Sequence, residues 1–151
     1  MPELISGDGA GRVALVTGAA RGLGHATALR LAAEGYTVAV NDITDDGRLS
    51  DLAKRIGGVA LPADIGDPAA APDMIAAIGE RVGPVQILVA NAATMAMSPF
   101  LDAEPGRWWR HIDVNLSGHF RLIQAVIPAM RAARRGRIVI IASGWGVIGH
   151  P

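Results

Sequence analysis

Three glycines spaced as Gly18, Gly22 and Gly24, in the run Thr17-Gly18-Ala19-Ala20-Arg21-Gly22-Leu23-Gly24, join a short apolar segment to a helical one. The segment before them, residues 12–17 (RVALVT), is apolar and β-branched without alternation, which reads as a strand buried on both faces. After Gly22 the residues Leu23, Ala26, Leu29, Leu31 and Ala32 recur at roughly helical spacing, and Gly35 stops the run. A strand, a glycine turn and a helix in that order point the backbone N–H groups of a helix N-terminus at a phosphate. Gly22 lets the backbone come close to a pyrophosphate, and Gly24 lets the helix pack hard on the sheet. Such glycines also serve ordinary turns; their place between strand and helix is what predicts a dinucleotide site.

The rest of the chain keeps alternating. Residues 36–42 (YTVAVND), 59–63 and 85–90 read as further strands, and 137–142 (RIVIIA) as a fifth. Residues 48–56 read as a short helix stopped by Gly57-Gly58. Asp67-Pro68 supplies an N-cap and a proline at the first helical position, which predicts a helix to about Val82. Glu104-Pro105 opens what reads as one long amphipathic helix to about Ala133, bent near Pro128. With right-handed crossovers this alternation gives an α/β fold, a Rossmann-type doubly wound parallel sheet of strand order 3-2-1-4-5. Half of the residues are apolar, and a chain of this size buries about 68–70% of its unfolded surface. One domain is therefore expected over residues 11–151, preceded by a flexible tail at 1–10.

Several other chemistries are excluded or disfavoured. The formal net charge is zero, which leaves no global field for nucleic acid or a membrane surface. No run approaches the ~18 apolar residues of a membrane span, and the N-terminus has no signal-peptide core. The absence of cysteine rules out disulfides and agrees with a cytoplasmic location. His111 and His119 lie too far apart to share a helix face, so no metal site is expected. Ser143-Gly144-Trp145-Gly146 lacks the glycine that stands two residues before a hydrolase nucleophile. Arg131, Arg134, Arg135 and Arg137 read as cations complementing a helix C-terminus, in preference to a binding patch. Of Trp108 and Trp109, one ring is expected to be buried and the other to lie at a helix contact.

Ligands of such sheets bind outside the carboxyl ends of the strands. Asp42 ends the second strand, where a carboxylate accepts hydrogen bonds from the adenosine ribose hydroxyls. It repels a 2′-phosphate: two like charges ~4 Å apart at an effective dielectric near 20 cost about 4 kcal/mol. NAD is thereby favoured over NADP, although Arg21, just before the second loop glycine, argues the other way.

With the loop, Asp42 and the alternations in place, the chain resembles the short-chain dehydrogenase/reductase family in its commonest, non-extended form, from about Gly11 to Pro151. Asp64-Ile65 resembles the family's pair that meets the adenine ring. Asn91-Ala92-Ala93 is similar to its Asn-Ala-Gly motif beside the adenosine ribose, with Ala93 in place of glycine. Trp108 with 114–120 (VNLSGHF) is similar to its long-helix signature, and 140–143 (IIAS) to the strand ending at its serine. The resemblance implies cofactor contacts from Gly18, Arg21, Gly22, Leu23, Gly24, Asp42, Ile43, Asp64, Ile65, Asn91, Ala92 and Ala93. It also implies that Ser143 hydrogen-bonds the substrate oxygen and that the Asn115 backbone carbonyl holds a water in the proton path.

The activity so implied is hydride transfer between NAD and a secondary alcohol or ketone. The family's Tyr-x-x-x-Lys acid/base pair falls past Pro151; the only tyrosine here is Tyr36 and the only lysine Lys54. Residues 1–151 are accordingly expected to be a C-terminally incomplete cofactor-binding part, inactive alone, with further strands beyond them. The alternative is a non-catalytic NAD-binding or interaction module on the same half-fold. Met95, Met97, Trp145, Val147 and Ile148 predict an apolar substrate wall and hence a hydrophobic alcohol or ketone. The family's long helix implies a homo-dimer or homo-tetramer, and the run IVIIA predicts an aggregation-prone edge if left unpaired.

Overall fold

The computed structural model describes residues 9–144. Its elements alternate as the hydrophobic pattern requires: β1 (Val13–Thr17), α1 (Gly22–Ala33), β2 (Thr37–Asp42), α2 (Arg48–Ile56), β3 (Val59–Pro62), α3 (Ala70–Val82), β4 (Val85–Ala90), α4 (Pro105–His111), α5 (His119–Ala132) and β5 (Arg137–Ile140). The strands form one parallel sheet in the order β3-β2-β1-β4-β5. β1 is central and buried along its whole length because it has a strand on each edge and helices on each face.

Alternation along β1 divides the core. Val13 and Leu15 face one layer with Leu88, Met74 and Ile78 of α3, and Leu122 and Val126 of α5. Val16 faces the other with Val38, Val40, Ala28 of α1, and Leu49 and Leu52 of α2. Each such fully buried aliphatic side chain is worth about 1.5–3 kcal/mol relative to exposure. The order β3-β2-β1-β4-β5 reverses direction at β1, so a crevice opens at the carboxyl ends of β1 and β4.

Three expectations from sequence need correction. The Asp67-Pro68 pair makes a turn ahead of α3 and does not cap it: Asp67 Oδ1 accepts from Ala69 N at 2.9 Å and the helix begins at Ala70. The long helix runs unbroken from Pro105 to Ala132 as expected but is not α-helical throughout, because a π-helical stretch, Ile112–Gly118, separates α4 from α5. Trp108 and Trp109 are both more than half exposed, at 53% and 58%, and pack edge to face on each other with centroids 4.7 Å apart. Glu104 does start α4, its carboxylate accepting from the N–H groups of Gly106 (2.9 Å) and Arg107 (2.8 Å).

At the start of the described chain, Gly9 is buried and its carbonyl accepts from Arg12 N at 3.0 Å. β5 pairs with β4 and, among the described residues, has no strand on its other side; Val139 and Ile140 are about half exposed there. Residues 1–8 of the expected tail, and Trp145, Val147 and Ile148 of the expected substrate wall, lie outside the described residues.

Candidate functional site

The carboxyl ends of four strands are stitched together by polar side chains buried among apolar ones. Thr17, the last residue of β1, is fully buried, and its hydroxyl accepts from the N–H groups of Asn91 (3.0 Å) and Ala92 (3.1 Å) beyond β4. In return Asn91 Nδ2 donates to the carbonyls of Thr17 (2.9 Å) and Gly18 (3.1 Å). Asn41, 1% exposed in β2, donates from Nδ2 to the carbonyls of Leu61 (2.8 Å) and Ala63 (2.9 Å) beyond β3. Neither Thr17 nor Asn41 was expected as a site residue. Their one trace in the sequence is a polar residue at or next to the end of an otherwise apolar strand.

These bonds hold a cleft of about 510 Å³ at the switch point of the sheet. Gly18, Arg21 and Gly22 line it from the β1–α1 loop, Asp42 and Ile43 from the end of β2, Asp64 and Ile65 from beyond β3, and Asn91, Ala92 and Ala93 from beyond β4. Leu23 and Gly24 stand outside its lining. Leu23 is exposed on the first turn of α1, whereas Gly24 is buried under the loop, where a methyl group would overlap the Gly18 carbonyl oxygen and sit 2.6 Å from Asn91 Nδ2.

Two features of the loop suit an anion. Gly22 has φ +60° with open space where a Cβ would stand, so the backbone faces the cleft uncovered. The twelve-residue helix α1 begins there with no side-chain cap and no acidic residue in its first turn. The partial positive charge of its N-terminus is therefore not offset from within the helix. Asp42 sits beside it and also braces the loop: Oδ2 accepts from Ala20 N at 3.0 Å and Oδ1 from Ile43 N at 2.9 Å.

Across the cleft Asp64 meets Arg110 of α4, whose Nη2 lies 2.7 Å from Oδ1 and 2.6 Å from Oδ2. Burial raises the carboxyl's affinity for a proton, but the Arg110 hydrogen bonds, the Gly66 N–H at 2.8 Å and the Arg110 charge outweigh it. They hold Asp64 below the ordinary carboxylate value.

Asn115 lies in the π-helical stretch and does not line the cleft, but its side chain clasps the loop beyond β4. Oδ1 accepts from Thr94 N and Nδ2 donates to Thr94 O, both at 2.8 Å. Two residues on, Ala96 N donates to His111 Nε2 at 2.8 Å, which leaves Nδ1–H to donate to the Arg107 carbonyl at 2.7 Å. His119, buried at the start of α5, reaches the Ala92 carbonyl from Nε2 at 2.9 Å. Ser143 is exposed three residues past β5, on the same carboxyl edge of the sheet, and outside the cleft lining. A broader groove of about 860 Å³ adjoins the loop, with Met95, Met97, Phe100 and Trp108 on its walls. Tyr36 lies at the amino end of β2, under the Arg12 guanidinium at 4.9 Å, and Lys54 pairs with Asp51 on α2 at 3.7 Å. Neither stands at the cleft. Among the described residues no helix is long and apolar enough to cross a membrane, and no three His, Asp or Glu side chains are grouped to hold a metal.

Known proteins resemble this chain in sequence and in fold. The chain is 36% identical over 148 residues to the short-chain dehydrogenase/reductase eriH of Hericium erinaceus, covering 92% of this chain and 59% of the relative. It is 35% identical over 143 residues to the 3-oxoacyl-[acyl-carrier-protein] reductase FabG of Staphylococcus aureus, covering 91% of this chain and 58% of that one. Among solved structures, that of NAD+-bound xylitol dehydrogenase superimposes with a TM-score of 0.87 at 32% identity, over 95% of this chain and 57% of the other. The chain thus spans a little under three fifths of the length of these relatives. The family model described as short chain dehydrogenase matches residues 12–151, from the first residue before β1 onward, and by that match the chain belongs to the short chain dehydrogenase family.

Proposed function

We propose that this chain provides the dinucleotide-binding part of an oxidoreductase that moves hydride between NAD and a secondary alcohol or ketone. The observation that carries the reading is the uncapped N-terminus of α1 opening, past a Gly22 with no neighbour at its Cβ position, onto a cleft at the sheet's switch point. The solved NAD+-bound relative and the family match support it. NAD supplies the hydride acceptor. The chain's own residues do the rest of the binding work: Gly22 and Leu23 at the start of α1 offer N–H groups to the pyrophosphate, Gly24 lets α1 pack under the loop, and the Asp42 carboxylate accepts from the adenosine ribose hydroxyls. Asp64 and Ile65 take the adenine edge, and Asn91, Ala92 and Ala93 border the ribose.

On the reacting side, the Ser143 hydroxyl donates to the substrate oxygen and the Asn115 carbonyl holds a water of the proton path. Tyr36 and Lys54 are not spaced as the family's Tyr-x-x-x-Lys acid/base pair, and catalysis without general acid/base help is about 10²–10⁴-fold slower, so residues 1–151 by themselves turn over poorly. Met95 and Met97, 65% and 66% exposed, favour a hydrophobic substrate. The exposed Trp108 and Trp109 on α4, Leu116 in the π-helical stretch and Phe120 on α5 favour a second copy of the chain as partner. The absence of cysteine favours a cytoplasmic protein over an exported one.

Calorimetric titration with NADH and NADPH tests the cofactor. The chain binds NADH more tightly, and Asp42→Ala erases the difference. Equal or tighter binding of NADPH by the unaltered chain shows that Arg21 outweighs the carboxylate and overturns the NAD assignment.

A further inference from the structure

Arg110 belongs to none of the sequence patterns that point to the cleft, yet it lines the cleft and lies against Asp64 from α4. A carboxylate has about four lone-pair sites. Arg110 Nη2 approaches both oxygens of Asp64, and Gly66 N–H takes a second site on Oδ1, so the acceptor capacity left over is concentrated on Oδ2. The turn that carries Asp64 is also held from α5, where Arg121 Nη1 donates to the Gly66 carbonyl at 3.3 Å. Asp64 is consequently fixed in direction and, with a cation against it, fixed as an acceptor. Both side chains remain about a third exposed, at 36% and 35%, so a ligand in the cleft can reach the pair.

From this geometry we infer that Arg110 determines base specificity: by holding Asp64 as an oriented, ionised acceptor it makes the cleft select a purine with an exocyclic amino group over one with a carbonyl there. The inference rests on the dinucleotide reading above and deepens it. An adenine amino group donates to the free site on Oδ2. The carbonyl of hypoxanthine in the same place sets lone pair against lone pair and leaves the carboxylate unpaired on that side. Without Arg110 the carboxylate is held only through Oδ1 by the Gly66 N–H, so Oδ2 turns toward water and no longer presents that site to the base, and the discrimination falls although the charge on Asp64 remains. Arg110 acts through Asp64 and is a positioning residue.

The test is titration of the chain with NADH and with its hypoxanthine analogue, deamino-NADH, followed by calorimetry. The unaltered chain binds NADH at least about tenfold more tightly, the scale of one hydrogen bond to a charged group. Arg110→Gln loses most of that ratio by weakening NADH while leaving the analogue nearly unchanged, and Arg110→Lys restores part of it. Asp64→Asn, whose amide can turn to suit either base, brings the ratio close to one and serves where Arg110→Gln does not fold. A ratio that Arg110→Gln and Asp64→Asn leave intact, both ligands weakening together, gives Arg110 a structural role only and overturns the inference. Equal affinity of the unaltered chain for the two ligands also overturns it while leaving the dinucleotide reading standing; binding of neither ligand overturns both.

Discussion

Replacing Gly24 by alanine sets two known effects against each other, and the geometry decides between them. Glycine inside a helix costs roughly 0.5–1 kcal/mol relative to alanine, so the substitution by itself favours α1. At this position, however, the new methyl group overlaps the Gly18 carbonyl oxygen, with Asn91 Nδ2 2.6 Å and the Gly18 carbonyl carbon 2.9 Å away. Two of those atoms are backbone of the loop, and the third is an amide committed to the Thr17 and Gly18 carbonyls. None can yield without breaking a bond that shapes the cleft. Overpacking of this kind costs about 1–3 kcal/mol, so after the propensity gain of about 0.5–1 kcal/mol the net loss lies between about 0 and 2.5 kcal/mol, centred on about 1, with NADH affinity falling as well. Gly79 in α3 is the control, since an added methyl there has nothing within 4 Å. Gly79→Ala keeps only the propensity term and gains about 0.5–1 kcal/mol. At about 2–4 °C per kcal/mol for a chain of this size, thermal unfolding followed by circular dichroism separates the two variants in opposite directions from the parent. A Gly24→Ala chain as stable as Gly79→Ala refutes the argument that α1 is held against the loop by contact.

Thr17→Val keeps the shape of a fully buried side chain but leaves the Asn91 and Ala92 N–H groups without their acceptor. A loss of about 2 kcal/mol is expected, on a scale of about 1–3 kcal/mol for each fully buried unpaired donor and with water reaching both N–H groups in part; chemical denaturation that finds less than about 0.5 kcal/mol counts against the stitched strand ends. Asp64 carries a pH dependence: its folded pKa lies below the ordinary 3.8, so the stability it contributes is present above 3.8 and is lost as pH falls through the lower folded value. Denaturation of the parent and of Arg110→Gln in steps below neutral pH should show the parent's advantage shrinking only in that acid window; an advantage that instead shrinks as pH rises contradicts the pairing.

The positions of the strands and the bounds of α2 were legible in the sequence because burial on two faces writes an unbroken apolar run, and a helix on one face writes a period near 3.6; the sheet order followed from right-handed crossovers. β4 and α2 lie at the residues expected from that pattern. The polar fastening of the cleft was not legible, because each bond joins residues far apart in the chain. Thr17 meets Asn91 across 74 positions and Asp64 meets Arg110 across 46, and no local period records such a pairing. The tryptophan pair, expected to set one ring in the core, instead leaves each more than half exposed, and the π-helical stretch that follows it, Ile112–Gly118, is likewise not recorded in the apolar period.

That same stretch bears on the role proposed for Asn115. In an α-helix the Asn115 carbonyl would take the N–H of His119, four residues on. Here the His119 N–H bonds the Leu116 carbonyl instead, so the Asn115 carbonyl is relieved of its α-helical partner. Its side chain is meanwhile spent on both backbone atoms of Thr94. The two halves of one residue therefore have separate roles, the amide fixing the loop that walls the cleft and the carbonyl being the atom to which the proposed function assigns a water. π-helical insertions recur where a helix must give up a regular bond for a functional one, and this one falls between the arginine that holds Asp64 and the histidine that holds Ala92. Any side-chain change at residue 115 acts on the clasp and leaves the backbone carbonyl in place; the wider turn around that carbonyl is set by the backbone of Ile112–Gly118 as a whole.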